Sequence, residues 1–147
     1  MASDGTVDIA EINDAIESKL GAATGMVRSQ SYNELTEGIP VGDIPLLQVY
    51  FESADFEPVT FQNAVQQLVL LFHADVYCRQ RANVAEDIGK VVDMADAVVD
   101  VLQAERHVPF FDLHGVKDMR WRADRVTFIY AKTSYAGIRF YITVYVF

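Results

Sequence analysis

The segment 83–103, "NVAEDIGKVVDMADAVVDVLQ", carries five carboxylates, Glu86, Asp87, Asp93, Asp96 and Asp100, with no histidine or cysteine among them. Carboxylates at that density can ligate a metal, move protons, or keep one side of a helix in water. Spacing decides between these. Asp93, Asp96 and Asp100 stand at i, i+3 and i+7 and share one helix face. That face lies nearly opposite the apolar stripe of the same segment. A di-metal site in a bundle needs carboxylates aimed into the core, with Glu-x-x-His partners. Neither condition is met, and no EF-hand loop pattern occurs. The three aspartates read as a solvated face.

The remaining reactive groups are sparse. His107 and His114 flank "VPFFDL", with Asp112 between them, at a spacing that matches no zinc motif. His73 falls within a strand pattern, where packing or an interface suffices. Cys78 is the only cysteine. Arg79 and Arg81 could lower its pKa, yet it completes an apolar strand face, and packing is the simpler role. A hydrolytic or small-molecule site using Cys78 with His107 or His114 is the alternative this leaves open. The chain has no G-x-S-x-G elbow and no glycine-rich phosphate loop. No metal or other cofactor is expected. Basic residues concentrate once, at Lys117, Arg120, Arg122 and Arg125 around Trp121. Arg120 and Arg122 share a strand face, with Trp121 opposite. Asp118 and Asp124 interrupt the charge, which disfavours a nucleic-acid platform. Pairing with acidic groups, including the acidic N-terminal third of a neighbouring copy, fits better, since arginine and aromatic residues are enriched at interfaces.

The elements that must carry these groups can be read in order. Thr6 can cap a first helix whose stripe is Val7, Ile9, Ile12, Ile16 and Leu20, with Gly21 and Gly25 at its end. Met26–Ser31 reads as a short strand. Residues 32–45 are loop chemistry, rich in glycine and proline, and long enough to suggest a functional or mobile segment. "LLQVYFES" (46–53) is a strand, and "ADFEPVT" is the turn after it. Val65–Cys78 is a longer strand. Its alternate residues from Leu68 to Cys78 form an apolar face, and Gln67, Val69, Leu71, His73, Asp75 and Tyr77 form a mixed one.

In the helix at 83–103, Asn83 is the N-cap and Glu86 completes a capping-box pattern. Its stripe is Val84, Ile88, Val91, Val92, Ala95, Val98, Val99 and Leu102. Strands at 119–131 and 137–147, joined by "KTSYA", form a terminal hairpin. Ile138, Phe140, Ile142, Val144 and Val146 make its apolar face, and Arg139, Tyr141, Thr143, Tyr145 and Phe147 the other. An exposed aromatic C-terminal strand would need a second chain to cover it. The expected fold is a single α+β domain over residues 1–147. A mostly antiparallel sheet packs against the long amphipathic helix and the N-terminal helix, with the strand order open.

The 147 residues carry a net charge of -9. The excess is N-terminal: residues 1–60 hold 11 acids and 2 bases. Such a chain is a poor grip for nucleic-acid phosphates, but suits a surface that DNA passes without sticking. One cysteine excludes an intrachain disulfide. The acidic N-terminus does not resemble a signal peptide, and "LVLLF" is far too short to span a membrane. A soluble protein made inside the cell is expected.

Three stretches taken together carry a resemblance: "PLLQVYFES", "LVLLFHADVYCRQRANVAEDIGKVVDMADAVVDVL" and "FFDLHGVKDMRWRADRVTFIYAKTSYAGIRFYITVYVF". The layout resembles the tail terminator (tail completion) proteins of long-tailed bacteriophages, over most of the chain from about Val7. The resemblance implies a small subunit that forms a hexameric ring at the head-proximal end of the virion tail. The ring caps the tail tube, stops its polymerisation and provides the attachment surface for the capsid connector. It implies no catalysis, assembly in the host cytoplasm, no membrane, and DNA passing through without specific binding. Another neck, head-completion or tail tube subunit is the nearest alternative. The residues expected at the interface are Arg120, Arg122, Arg125, Arg139, Tyr141 and Tyr145, together with the 32–45 loop.

Overall fold

The computed structural model describes residues 8–34, 38–58, 66–107 and 109–146. Thr6, Val7, Val65, Phe147 and residues 35–37 of the loop lie outside the described residues. Helix α1 (Ile9–Gly21) is capped by Asp8, whose carboxylate accepts from Glu11 N at 3.2 Å. The cap is therefore Asp8 and not Thr6; an N-cap acceptor reaches the second or third helical N–H, which fixes it at that distance from the first turn. Ile12, Ile16 and Leu20 are buried, and Ile9 stands to one side of them. Strand β1 is short (Arg28–Ser31), β2 spans Leu46–Pro58, and β3 spans Gln66–Gln80. Helix α2 is Val84–Ala104, and a hairpin of β4 (Val116–Tyr130) and β5 (Thr133–Val146) follows.

The sheet order is β1-β2-β3-β5-β4. Only the β1–β2 pairing is parallel. The α+β expectation holds, with both helices on one face of a mostly antiparallel sheet. Leu47 and Val49 of β2, Phe72, Ala74 and Val76 of β3, and Phe140, Ile142 and Val144 of β5 point into a core shared with α1 and α2. These are the period-two apolar faces. The gain from covering them drives the layering, at ~25 cal/mol per Å² of apolar surface removed from water.

Four details depart from the sequence reading. β2 does not turn at Ala54. It continues to Pro58 through a bulge between Phe51 and Ser53, because β3 supplies a ladder partner as far as Gln66. Proline is tolerated where a strand ends. The terminal hairpin turns at Ala131–Lys132, so Thr133–Ala136 belong to β5 and not to a loop. β5 is enclosed by β3 and β4, so the C-terminal strand is no edge; β4 is. Finally, the apolar stripe of α2 is wider than the face it buries. Val91, Met94, Val98 and Leu102 are in the core, whereas Val84, Ile88 and Val92 are exposed.

The cap of α2 is as expected, with Asn83 Oδ1 accepting from Ala85 N and Glu86 N at 3.1 and 3.3 Å. Glu86 instead takes Arg79 Nη1 at 3.3 Å. Asp87 is not on the wet side. It is buried, accepts from Ala82 N at 3.2 Å, and has Arg79 Nε 3.0 Å away, though that N–H does not point along the contact.

Candidate assembly surface

The face of the sheet opposite the helices is built from the alternate residues that do not enter the core. Register places Tyr50 of β2, His73 of β3, Tyr141 of β5 and Arg122 of β4 in one row across it. The next row toward one end of the sheet runs Gln48, Asp75, Arg139 and Asp124. Asp75 is 2 % exposed. Arg139 meets it bidentately, Nε to Oδ1 at 2.7 Å and Nη2 to Oδ2 at 3.0 Å. Tyr50 also donates to Asp75 Oδ2 at 2.7 Å and accepts from Arg139 Nη2 at 3.1 Å. His73 Nδ1 lies 3.3 Å from the Tyr50 oxygen, and its ring meets Tyr141 edge-on at 5.0 Å. A buried charge is tolerated only when paired and hydrogen-bonded, and this carboxylate is both.

The environment sets the titration of these groups. Burial, then the Asp75 charge, pushes the Tyr50 phenol far above its ordinary range. Burial, then the Arg139 guanidinium, pulls His73 below the usual histidine value. Its hydrogen bond to Asp75 holds Arg139 still more firmly protonated. The cluster is thus a fixed, charge-balanced girder around neutral His73.

Outward along β4, Arg122 lies over the Tyr141 ring, 3.9 Å from its centroid, and Arg120 over Tyr145 at 5.2 Å. Asp118 and Asp124 hold the same two guanidinium groups at 3.2 and 2.7 Å. Stacking on the rings fixes their direction while the charges stay in water. At the other end of the face, Leu46, Tyr77, Phe128 and Tyr135 form an apolar cluster on which Ile39 and Ile44 pack. The 32–45 loop is therefore engaged with its own sheet through those two side chains.

Five of the six expected interface residues, Arg120, Arg122, Arg139, Tyr141 and Tyr145, share this open face. Arg125 does not. It alternates to the helix side, where it lines a small cavity with Val84, Ile88 and Val91 of α2. Tyr50 and Asp75 were not singled out from sequence, although an aspartate inside a strand as apolar as "LVLLFHADVYC" signals a buried partner. The sheet also has two open edges. β4 has β5 on one side, and among the described residues no strand flanks it on the other. β1 pairs with β2 only over Leu46–Val49; the turn Tyr32–Glu34 then packs against β2, with Tyr32 beside Tyr50 and Phe51, and among the described residues no strand flanks Tyr50–Pro58 on that side.

The groups of the alternative site do not converge. Cys78 is buried on the core side of β3, its thiol pushed up to about 12 by burial. The cavity beside it is lined by Ile44, Pro45, Cys78, Arg79, Gln80 and Lys90, without a histidine. His107 is exposed beyond α2, between Ala104 O at 3.1 Å and Asp112 Oδ1 at 3.4 Å, and His114 is exposed as well. Asp93, Asp96 and Asp100 are exposed, and among the described residues no three His, Cys, Asp or Glu side chains gather to hold a metal ion. Among them, too, no helix is long and apolar enough to cross a membrane.

No protein-family model matches the chain, and no curated protein matches it.

Proposed function

We propose that this chain is the ring-forming subunit of a tail terminator of a long-tailed bacteriophage, capping the tail tube and presenting the surface that the capsid connector joins. The observation that carries this reading is the unfinished sheet. One face has both helices. The other is open and bears oriented arginines on tyrosines, and a fifteen-residue edge strand has a neighbour on one side only. Open edges are a hazard that proteins blunt with charges and bulges, and both edges here carry them, so a strand that pairs with either must match its charges. A subunit whose two edges differ is suited to head-to-tail contact, which closes as a ring when the rotation permits.

The test is absolute mass by light scattering on a sizing column at two salt concentrations, with electron microscopy of the peak. The expected result is about 99 kDa, six copies of a 16.5 kDa chain, in closed rings of one size. Added to polymerising tube protein, the rings should shorten and unify tube lengths. Open filaments would make the chain a tube subunit instead. A monomer at every concentration would overturn the ring and send attention to ligands near Cys78.

A further inference from the structure

The two open edges carry opposite charge. Residues 50–58 of β2 hold Glu52, Asp55 and Glu57 and no base, while β4 holds Lys117, Arg120, Arg122 and Arg125 against Asp118 and Asp124. Resting on the ring reading above, we infer that β4 of one copy adds to the open stretch of β2 in the next, so that one sheet runs on from subunit to subunit.

Three further observations bear on this. The first is direction. β2 runs opposite to β3, β3 opposite to β5, and β5 opposite to β4. If copies related by a ring axis continue the sheet, β4 meets the next β2 antiparallel, the more stable pairing. The second is level. Following the registers across one sheet, Tyr50 of β2 is level with Arg122 of β4, Asp55 with Asp118, and Phe56 with Val116. Where the ring axis keeps these levels, the open part of β2 meets the half of β4 that holds Lys117, Asp118, Arg120 and Arg122, three bases to one acid.

The third is polarity. A two-fold dimer could also pair β4 with β4 or β2 with β2 antiparallel, but the first would join two strands each holding four bases to two acids, and the second two stretches each holding three acids and no base, so net charge opposes both. Opposite charges across strands are favourable, and β4 against β2 is the pairing that supplies them. It joins two different surfaces, so it propagates around an axis instead of ending at two copies. Arg120 and Arg122 are already held outward by Tyr145 and Tyr141, with side chains 72 % and 64 % exposed. Glu52 and Asp55 are exposed on the receiving edge.

The test reverses each edge separately. One variant carries Arg120→Glu and Arg122→Glu, and so has two acidic edges. The other carries Glu52→Lys and Asp55→Lys, and has two basic ones. Circular dichroism and urea melts check that both fold. Light scattering should then find each variant alone shifted from six copies to one. An equimolar mixture should regain the six-copy mass, because alternating copies restore every acid–base contact and six is even. Either variant assembling alone as well as the wild type would overturn the pairing while leaving a ring of another design standing. So would a mixture of two folded variants that stays monomeric. A wild type that is monomeric at all concentrations overturns both. Rings that obey the edge rules but leave tube growth unchanged would overturn the terminator reading alone.

Discussion

At the scale of single residues, the open face is organised around one carboxylate. Asp75 is almost fully buried, and its partner Arg139 retains 28 % side-chain exposure. Asp75→Asn should destabilise the subunit by roughly 3 kcal/mol, the low end for breaking a buried pair, because Arg139 can still reach water. Replacing both residues by leucine should cost much less, and urea titrations of the three variants measure the difference. His73 supplies a pH prediction. Its folded pKa is depressed, by burial first and Arg139 second. The unfolded chain therefore binds more protons as pH falls below the ordinary histidine value of about 6.5. Stability present above that value is lost on acidification toward the folded pKa. Exposed His107 is shifted the opposite way by Asp112 and Ala104. The wild-type urea midpoint should fall more between pH 7.5 and 5 than that of His73→Gln. At this scale the sequence was partly readable. Arg139 and Tyr141 were placed on one face by alternation, but their joining to Asp75 and Tyr50 needed the strand order, which alternation does not contain.

At the scale of elements, α2 shows what periodicity does and does not say. Its apolar stripe and Asn83 cap were legible, since both depend on local spacing alone. How much of that stripe is buried depends on where the sheet lies, and Val92 is 52 % exposed while Val98 is 0 %. Val98→Ala should cost about 2 kcal/mol and Val92→Ala under about 0.5 kcal/mol, as cavity formation applies to the first alone. Thermal unfolding of both separates them. The β4–β5 turn was misplaced for a different reason. Ala131 and Lys132 both have positive φ, at 50° and 68°, as a two-residue type I′ hairpin requires. Neither is the Asn or Gly that advertises such a turn. Left-handed backbone costs an L-residue roughly 1 kcal/mol, so Lys132→Gly should raise the urea midpoint, by up to about that amount in free energy.

At the scale of the whole molecule, the helix-on-sheet layering followed from the apolar faces, because only one arrangement covers them all. The order β1-β2-β3-β5-β4 did not, and with it went the identity of the edge strand. The consequence is thermodynamic as well as topological. If folded copies bind one another and unfolded ones do not, the melting temperature must rise with protein concentration. Calorimetry across a hundredfold concentration range should show that rise for the wild type and a flat response for the variant with Arg120→Glu and Arg122→Glu. The shortest strand has a role in this picture that its size conceals. β1 ends at Ser31, opposite Val49, and the turn Tyr32–Glu34 continues it beside β2 at Tyr50 and Phe51. A strand laid along β2 from the Pro58 end runs into this corner. Alternation fixes which face of an added strand is apolar but leaves shifts by an even number of residues undecided. Under the proposed pairing, β1 and the turn after it are an end-stop that blocks shifts in one direction, so a few residues would set the stagger of each copy on its neighbour.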